Sequence, residues 1–579
     1  MKTTYRMILA LAIACIAGGI ATAQSKSVYL DLMQSAVEAY TPERIESYME
    51  EVDKEGISEH GYARLTSNIG ILIAHGRLQE DRELFCRMMD ICVRELPLAR
   101  IRNAHRSDPG NDFAVKEVCC CIMELEAAQT FPKEVTDRWR AGLNDMAAAD
   151  IYSSRPKPGA NRAHNWCVLG SASECARIWS GIGGDRSYAD LYLGDQLRFF
   201  DENGMYMDPH QPMVYDFVTR LQYMAALDFG YDGPYREAIK EQLLRSAIPT
   251  LEMQSVTGEI PYGGRSNQFL HNEACLAAVC EYYATWMKRR GDEDLASRFK
   301  AAAIRAAEAI SYWTDQKPVR HVKNRYPTET SYGCEGYAYF NKYMVTMASW
   351  AYLAFRFADD SIRPARKMPE ASTFVTSDAF LEEYIETCKK YEKKCILELK
   401  GGYTAEWDLD AQVEYDASGL GRFQKAGAPP VVALSSPCPA AARPNYHLDI
   451  ENECGLCISP LWDRYEVVKA GKGILVLTDG ASRWTCRLSR RGLAMVLKGE
   501  GDLTMTLPAL AYDGEKETEF TCVGKSLTIS FNGWSCRYVT DGSIHDSGLI
   551  CGSRNGHMKR YDVCGHGKLR IRASITENK

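Results

Sequence analysis

Past its N-terminal stretch, the 579-residue sequence has no apolar run long enough to form a membrane helix. It has no basic excess either. Its 69 Lys and Arg face 76 Asp and Glu, a net charge of −7, so there is no broad positive field for nucleic acid. Local basic clusters remain available to an acidic sugar. No phosphate-binding loop, zincin motif or nucleophile elbow occurs, which removes those nucleotide, metalloprotease and serine-hydrolase readings. Cys454-x-x-Cys457 stands without a second Cys or His pair at zinc spacing. No cofactor is expected, with a structural or assisting divalent cation left open. The run Cys119-Cys120-Cys121 cannot supply three disulfides from one helix, so these thiols read as small buried hydrophobes with at most a few bridges elsewhere. No strict short repeat appears, which disfavours an open superhelical array.

What is present begins with an export signal. Lys2 and Arg6 precede the apolar stretch Met7 to Ile20, and Ala21-Thr22-Ala23 supplies a small-x-small cleavage pattern. Cleavage after Ala23 is expected, giving a periplasmic or secreted product. Lipidation at Cys15 is the weaker reading, because Ala12 stands where a lipoprotein signal has Leu. The full sequence is 46% hydrophobic with 32 Tyr and 10 Trp, enough for large cores and for rings that stack on sugar faces.

Two periodicities divide the rest. Twelve stretches, from Val28–Val52 through Trp166–Gly181 and Tyr215–Gly230 to Tyr337–Phe357, carry apolar residues near a 3.6 period. Gly, Pro, Asp or Asn mark most breaks, so the helices read as hairpin pairs closing into an (α/α)6 toroid over 24–365. A segment at 366–398 reads as a linker that is partly helical. From 399 to 579 period-2 runs such as Gly473–Thr478 and Ser526–Ser530 predict an antiparallel β-sandwich. The class is α+β, multidomain.

Three segments carry polar residues that fit neither a helix core nor a generic turn. Arg162-Ala163-His164-Asn165-Trp166 precedes an apolar helix, where Asn165 also suits a helix cap. Asp201 to Tyr215 places His210 and Tyr215 at the start of the next helix. Pro261-Tyr262-Gly263-Gly264-Arg265-Ser266-Asn267-Gln268 leads into the helix bearing His271, Asn272 and Glu273.

The order Asn-Trp, then Asn-Gly-x-Tyr-x-Asp with His and Tyr after it, then Gly-Arg-Ser, resembles the chondroitin AC and hyaluronate lyase group. The resemblance implies that Asn165 neutralises a uronate carboxylate, that His210 and Tyr215 move protons, and that Arg265 assists beside the tyrosine. It also has departures. His210 and Tyr215 are five residues apart, Phe269 replaces a second arginine, and Cys167 replaces a second Trp. These place the chain with a more distant member, of which the rhamnose–glucuronate lyases are one example. An acidic polysaccharide or oligosaccharide is the expected partner, and nucleic acid is not.

Elementary chemistry points to the same side chains. Elimination across C4–C5 of a uronic acid removes a weakly acidic proton beside a charged carboxylate, so donors must face that carboxylate, as Asn165 and an Arg would. A neutral His210 suits the base and Tyr215 can protonate the departing O4, or serve both roles if Arg265 favours its phenolate. His164, Trp166, Asn267, His271, Tyr332, Tyr337 and Tyr339 are the candidate substrate-binding residues. A glycoside hydrolase on the same toroid is the alternative, with Asp208, Asp216, Glu273 and Glu335 as its available carboxyls.

Overall fold

The computed structural model describes residues 26–103, 111–152, 159–160, 162–208, 213–367, 371–376, 395–409, 416–432 and 457–578. The signal segment, Cys15, His210 and Cys454 lie outside the described residues. Among the described residues, fourteen helices, leaving aside single turns, fill the first part. They are α1 (Ser27–Val37), α2 (Pro42–Glu55), α3 (Gly61–Ala74), α4 (Arg82–Glu95), α5 (Val115–Ala127), α6 (Lys133–Asn144) and α7 (Asn165–Ser180). There follow α8 (Arg186–Gln196), α9 (Met213–Asp228), α10 (Arg236–Arg245), α11 (Ala247–Met253), α12 (Leu270–Arg289), α13 (Glu293–Thr314) and α14 (Phe340–Phe357).

Helices α3, α5, α7, α9, α12 and α14 pack each against the next, and α14 returns to α3, closing an inner barrel. The intervening helices form the outer layer. Inner helices are buried nearly all round, as α3 shows from Gly61 to Ile73, whereas the outer α6 buries Thr136, Trp139 and Leu143 along one stripe. Polar residues on the inner helices are bonded in place: Ser67 donates to the Ala63 carbonyl at 2.7 Å and Asn68 to that of Val345 at 3.2 Å. The single helix expected over Val28–Val52 is two. Pro42 presets the first turn of α2 while Thr41, in extended backbone, accepts the Arg44 N–H at 3.2 Å, so the chain breaks there.

Among the described residues the second part is all β. Strands β1 (Ser372–Val375), β2 (Cys395–Lys400), β3 (Tyr403–Asp408) and β4 (Gly419–Lys425) make a four-stranded antiparallel sheet in that order. The partly helical reading of 366–398 is therefore corrected at both of its described strands: Ser372–Val375 and Cys395–Lys400 pair with each other through β-branched and aliphatic residues. The ten-stranded sheet contains β5 (Ser459–Pro460), β6 (Glu466–Gly471), β7 (Ile474–Thr478), β8 (Arg483–Ser489), β9 (Gly492–Tyr512) and β10 (Glu519–Val523). It is completed by β11 (Ser526–Phe531), β12 (Trp534–Thr540), β13 (Ser543–Ser553) and β14 (Gly556–Glu577). Its order is β10-β11-β12-β14-β9-β8-β7-β6, with β13 on β14 and β5 on β9. The long β9–β14 pairing runs from His557 opposite Tyr512 to Ala573 opposite Leu493. Strands β2 and β3 stack on β8, enclosing Trp407, Trp484 and Cys486, so the two sheets form a sandwich.

Strand β3 is buried at every residue. Tyr403, Ala405 and Trp407 face the sandwich core, while Thr404, Glu406 and Asp408 alternate toward the toroid. Thr404 accepts the Val256 N–H at 2.8 Å, and the β13–β14 turn inserts Arg554 and Asn555 beside the Gly-Gly-Arg-Ser loop. Lys425 donates to the Ile575 carbonyl at 2.9 Å within the sheets. No disulfide joins the described cysteines, and Cys119, Cys120 and Cys121 are buried. No helix among the described residues is long and apolar enough to cross a membrane.

Candidate active site

The inner helices begin at one end of the barrel. Phe113, just before α5, lies 5.5 Å from Trp166 of α7 and 4.8 Å from His60 before α3 (ring centroids). Tyr343 of α14 lies 4.6 Å from His271 of α12, and its hydroxyl is 3.4 Å from that of Tyr215 on α9. Six helix N-termini thus surround one cleft, and their dipoles favour an anion there.

Asn165, Tyr215 and Arg265 converge in this cleft. Asn165 is the first residue of α7 rather than its cap; His164 holds the cap position. The Asn165 amide donates to Asp208 Oδ1 at 2.8 Å, while its own Oδ1, buried, has no hydrogen-bond partner. Asp208, when ionised, only accepts, so it fixes which end of the amide faces it and leaves a second N–H free to turn elsewhere. Arg265 donates to the other Asp208 oxygen and lies 4.1 Å over the Tyr215 ring. Burial pulls the Arg265 guanidinium down, but Asp208 and the phenols of Tyr215 and Tyr337 more than offset this and hold it above its ordinary range. The arginine is therefore a fixed cation beside a phenol.

Backbone geometry sets that arginine. Gly263, with φ of 99°, lies where an added Cβ would be 3.0 Å from both Asp408 and Asp416 carboxyl oxygens, so only glycine passes comfortably. Asp416 accepts the Gly264 N–H at 2.5 Å. Ser266 follows at φ 57°, its N–H donating to Glu335 at 2.5 Å, and Glu335 is gripped by both ends of the Arg554 guanidinium. Burial pushes the Glu335 carboxyl up, yet Arg554 and the hydrogen bonds keep it below its usual range. The sheet domain thus clamps the loop that aims Arg265.

The remaining candidates divide. Trp166 is half-buried against Phe113, and His164 stands edge-on to it at 5.4 Å, its backbone N–H bonded to Gln196 and Tyr206. His271 is 2% exposed beneath Tyr343, and desolvation drives its imidazole well below the usual range, so it is neutral. Asn267 turns its amide to the Pro261 carbonyl at 3.0 Å and braces the loop from within. Tyr332 is 2% exposed and stacks on Tyr326 at 3.8 Å, a packing role in place of a sugar platform. Tyr339 precedes α14, half-buried, with Lys342 Nζ 5.1 Å from its ring. Tyr337 is 37% exposed, and its hydroxyl is 2.9 Å from Ser266 Oγ. Ser266 and Tyr343 were not singled out in the sequence. The Gly-Arg-Ser motif contains the first, whereas Tyr343 looks like any aromatic residue of an apolar helix.

Among the described residues no group of three or more His, Cys, Asp or Glu is arranged to hold a metal ion. No family model matches the chain and no curated protein matches its sequence. Solved structures similar to it include a chondroitin AC lyase from Streptomyces coelicolor A3 in complex with chondroitin sulphate. That match has 10% identity and a TM-score of 0.44, and covers 95% of this chain and 82% of that one. Heparinase III matches at 7% identity and TM-score 0.43 (95% and 92% covered). A glycosyl hydrolase family 88 protein from Bacteroides vulgatus matches at 12% identity and TM-score 0.37 (58% and 100% covered).

Proposed function

We propose that this chain is a polysaccharide lyase that cleaves a uronic-acid-containing glycan by β-elimination, in the periplasm or outside the cell. The observation that carries the reading is the convergence of Asn165, Arg265 and Tyr215 at the helix N-termini of one cleft. Asn165 and the helix dipoles stabilise the uronate carboxylate as charge builds on it. Tyr215 gives its proton to O4, with Arg265 over its ring easing the negative charge left on the phenol. His210 is the candidate base on the sequence alone. A rhamnose–glucuronate-type substrate is the finer reading.

The four carboxyls that the sequence offers a hydrolase each face a cation. Asp216 pairs with Arg220 at 2.6 Å, Glu273 with Lys323 at 2.9 Å, Glu335 with Arg554, and Asp208 with Arg265. None of these is poised as a lone acid opposite a nucleophile. The test is incubation with a panel of uronate polysaccharides and mass spectrometry of the products. Products without added water are expected, and products that have gained water would overturn the lyase reading.

A further inference from the structure

The Ser266 hydroxyl sits between two phenols, 3.0 Å from that of Tyr215 and 2.9 Å from that of Tyr337. A hydroxyl donates one hydrogen bond and accepts others, so the three groups form a continuous chain. Its ends differ. Tyr215 is 8% exposed, whereas Tyr337 is 37% exposed. Ser266 keeps its place through a left-handed backbone and the Glu335 contact to its N–H. Tyr343 also approaches Tyr215, but at 3.4 Å, the longest of these contacts. The short path therefore runs through Ser266.

We propose that Tyr215, Ser266 and Tyr337 form a proton relay that reloads Tyr215 from solvent after each cleavage. This rests on the reading of Tyr215 as the acid. In the elimination the C5–H bond breaks, its electron pair forms the C4–C5 double bond, the C4–O4 bond breaks, and Tyr215 protonates O4. The phenolate then takes the proton of Ser266, Ser266 takes that of Tyr337, and Tyr337 takes one from water. The C5 proton leaves through the base, so protons balance over a cycle.

The test uses the full chain with Tyr337→Phe, which keeps the ring, and Ser266→Gly, which removes the hydroxyl at a backbone angle that glycine adopts freely. Rapid-quench and steady-state rates are measured on a polysaccharide that the wild type cleaves, at rising imidazole buffer concentration. In both variants steady-state turnover is expected to fall about tenfold or more, the first turnover less, with buffer restoring the steady state. Equal loss in both phases without buffer response, or no loss at all, would overturn the relay. The lyase reading fails separately, if the wild type gives no unsaturated product from any uronate polysaccharide.

Discussion

Two buried clusters of charge lie within this molecule, one at the toroid–sheet seam and one in the cleft, and they are built to opposite ends. At the seam, Lys323 Nζ is 2.7 Å from Glu259 and 2.9 Å from Glu273, while Gln424 donates to Glu259 at 2.6 Å. Arg422 donates to the Ile260 carbonyl at 2.9 Å and stands 3.8 Å from both Glu259 and Glu406. Both layers contribute, and every member is nearly inaccessible to water. In the cleft, two donors share the single carboxylate of Asp208, the Asn165 Oδ1 is left without a partner, and the Arg265 side chain is 20% exposed. Buried charge by itself does not mark a site. Both clusters leave buried polar atoms unpartnered, Glu406 Oε1 and Arg422 Nη2 at the seam among them, so what marks the cleft is a charged side chain that also reaches solvent.

The largest expected effect lies in the cleft. Tyr215→Phe should lower kcat by about 10²–10⁴-fold, because proton transfer is worth that much, while substrate affinity and thermal stability stay near wild type. Turnover close to wild type would show that the hydroxyl is not the acid and would remove the contrast with the seam.

At the seam the response should be the reverse. Lys323→Met leaves Glu259 and Glu273 buried together without their shared cation, a loss on the order of 3–5 kcal/mol read by denaturant midpoint. The kcat of the folded fraction should remain within about tenfold of wild type, since Lys323 does not reach the cleft. A stable variant with lost turnover would mean that the seam serves the chemistry directly.

How much of this was legible follows the same division. The inner and outer helices announce themselves through the 3.6 period, and Gly-Gly before Arg265 signals a tight path that the Asp408 and Asp416 contacts explain. The seam was not legible. The Thr404, Glu406 and Asp408 alternation on β3 looks like a solvent-facing strand, and only the toroid packed across it turns that face inward. Nor was the anchoring of Asn165, because pairing with Asp208 joins residues from separate loops through the closure of the barrel. Tyr332 misled for the ordinary reason that an aromatic near a site stacks as well on Tyr326 as on a sugar.

Asn165→Ala sharpens the comparison within the cleft itself. Removing the amide takes away a donor aimed at the developing charge and should cost about 10²–10³-fold in kcat, with little change in stability. Asp208→Asn should fall in the same direction by releasing both Asn165 and Arg265 from their orientation. If Asn165→Ala raises KM alone, the amide binds the ground state and the transition state equally well.

The smallest effect is expected in the pH dependence of the seam. Burial raises the Glu406 carboxyl to about 7, outweighing the Arg422 charge and the Tyr262 N–H that it accepts at 3.1 Å. An unfolded glutamate titrates near 4.3, so between these values the folded protein holds a proton that the unfolded chain has lost. Stability from this group is full below the unfolded value and declines as pH rises toward 7, by at most about 4 kcal/mol. Glu259 acts the other way. Burial opposes its charge, but Lys323 and Arg422 hold its carboxyl below the usual range, so its contribution is lost as pH falls through the acid region. The seam should therefore be firmest near the unfolded value of about 4.3, and melting temperature should fall on either side. Glu406→Gln should flatten the decline above pH 5 and leave the acid limb intact. An unchanged slope in that variant would assign the decline to other groups. Because the cleft residues Asn165 and Arg265 do not titrate in this range, the pH profile of kcat should be unaltered by Glu406→Gln, which separates the two clusters once more.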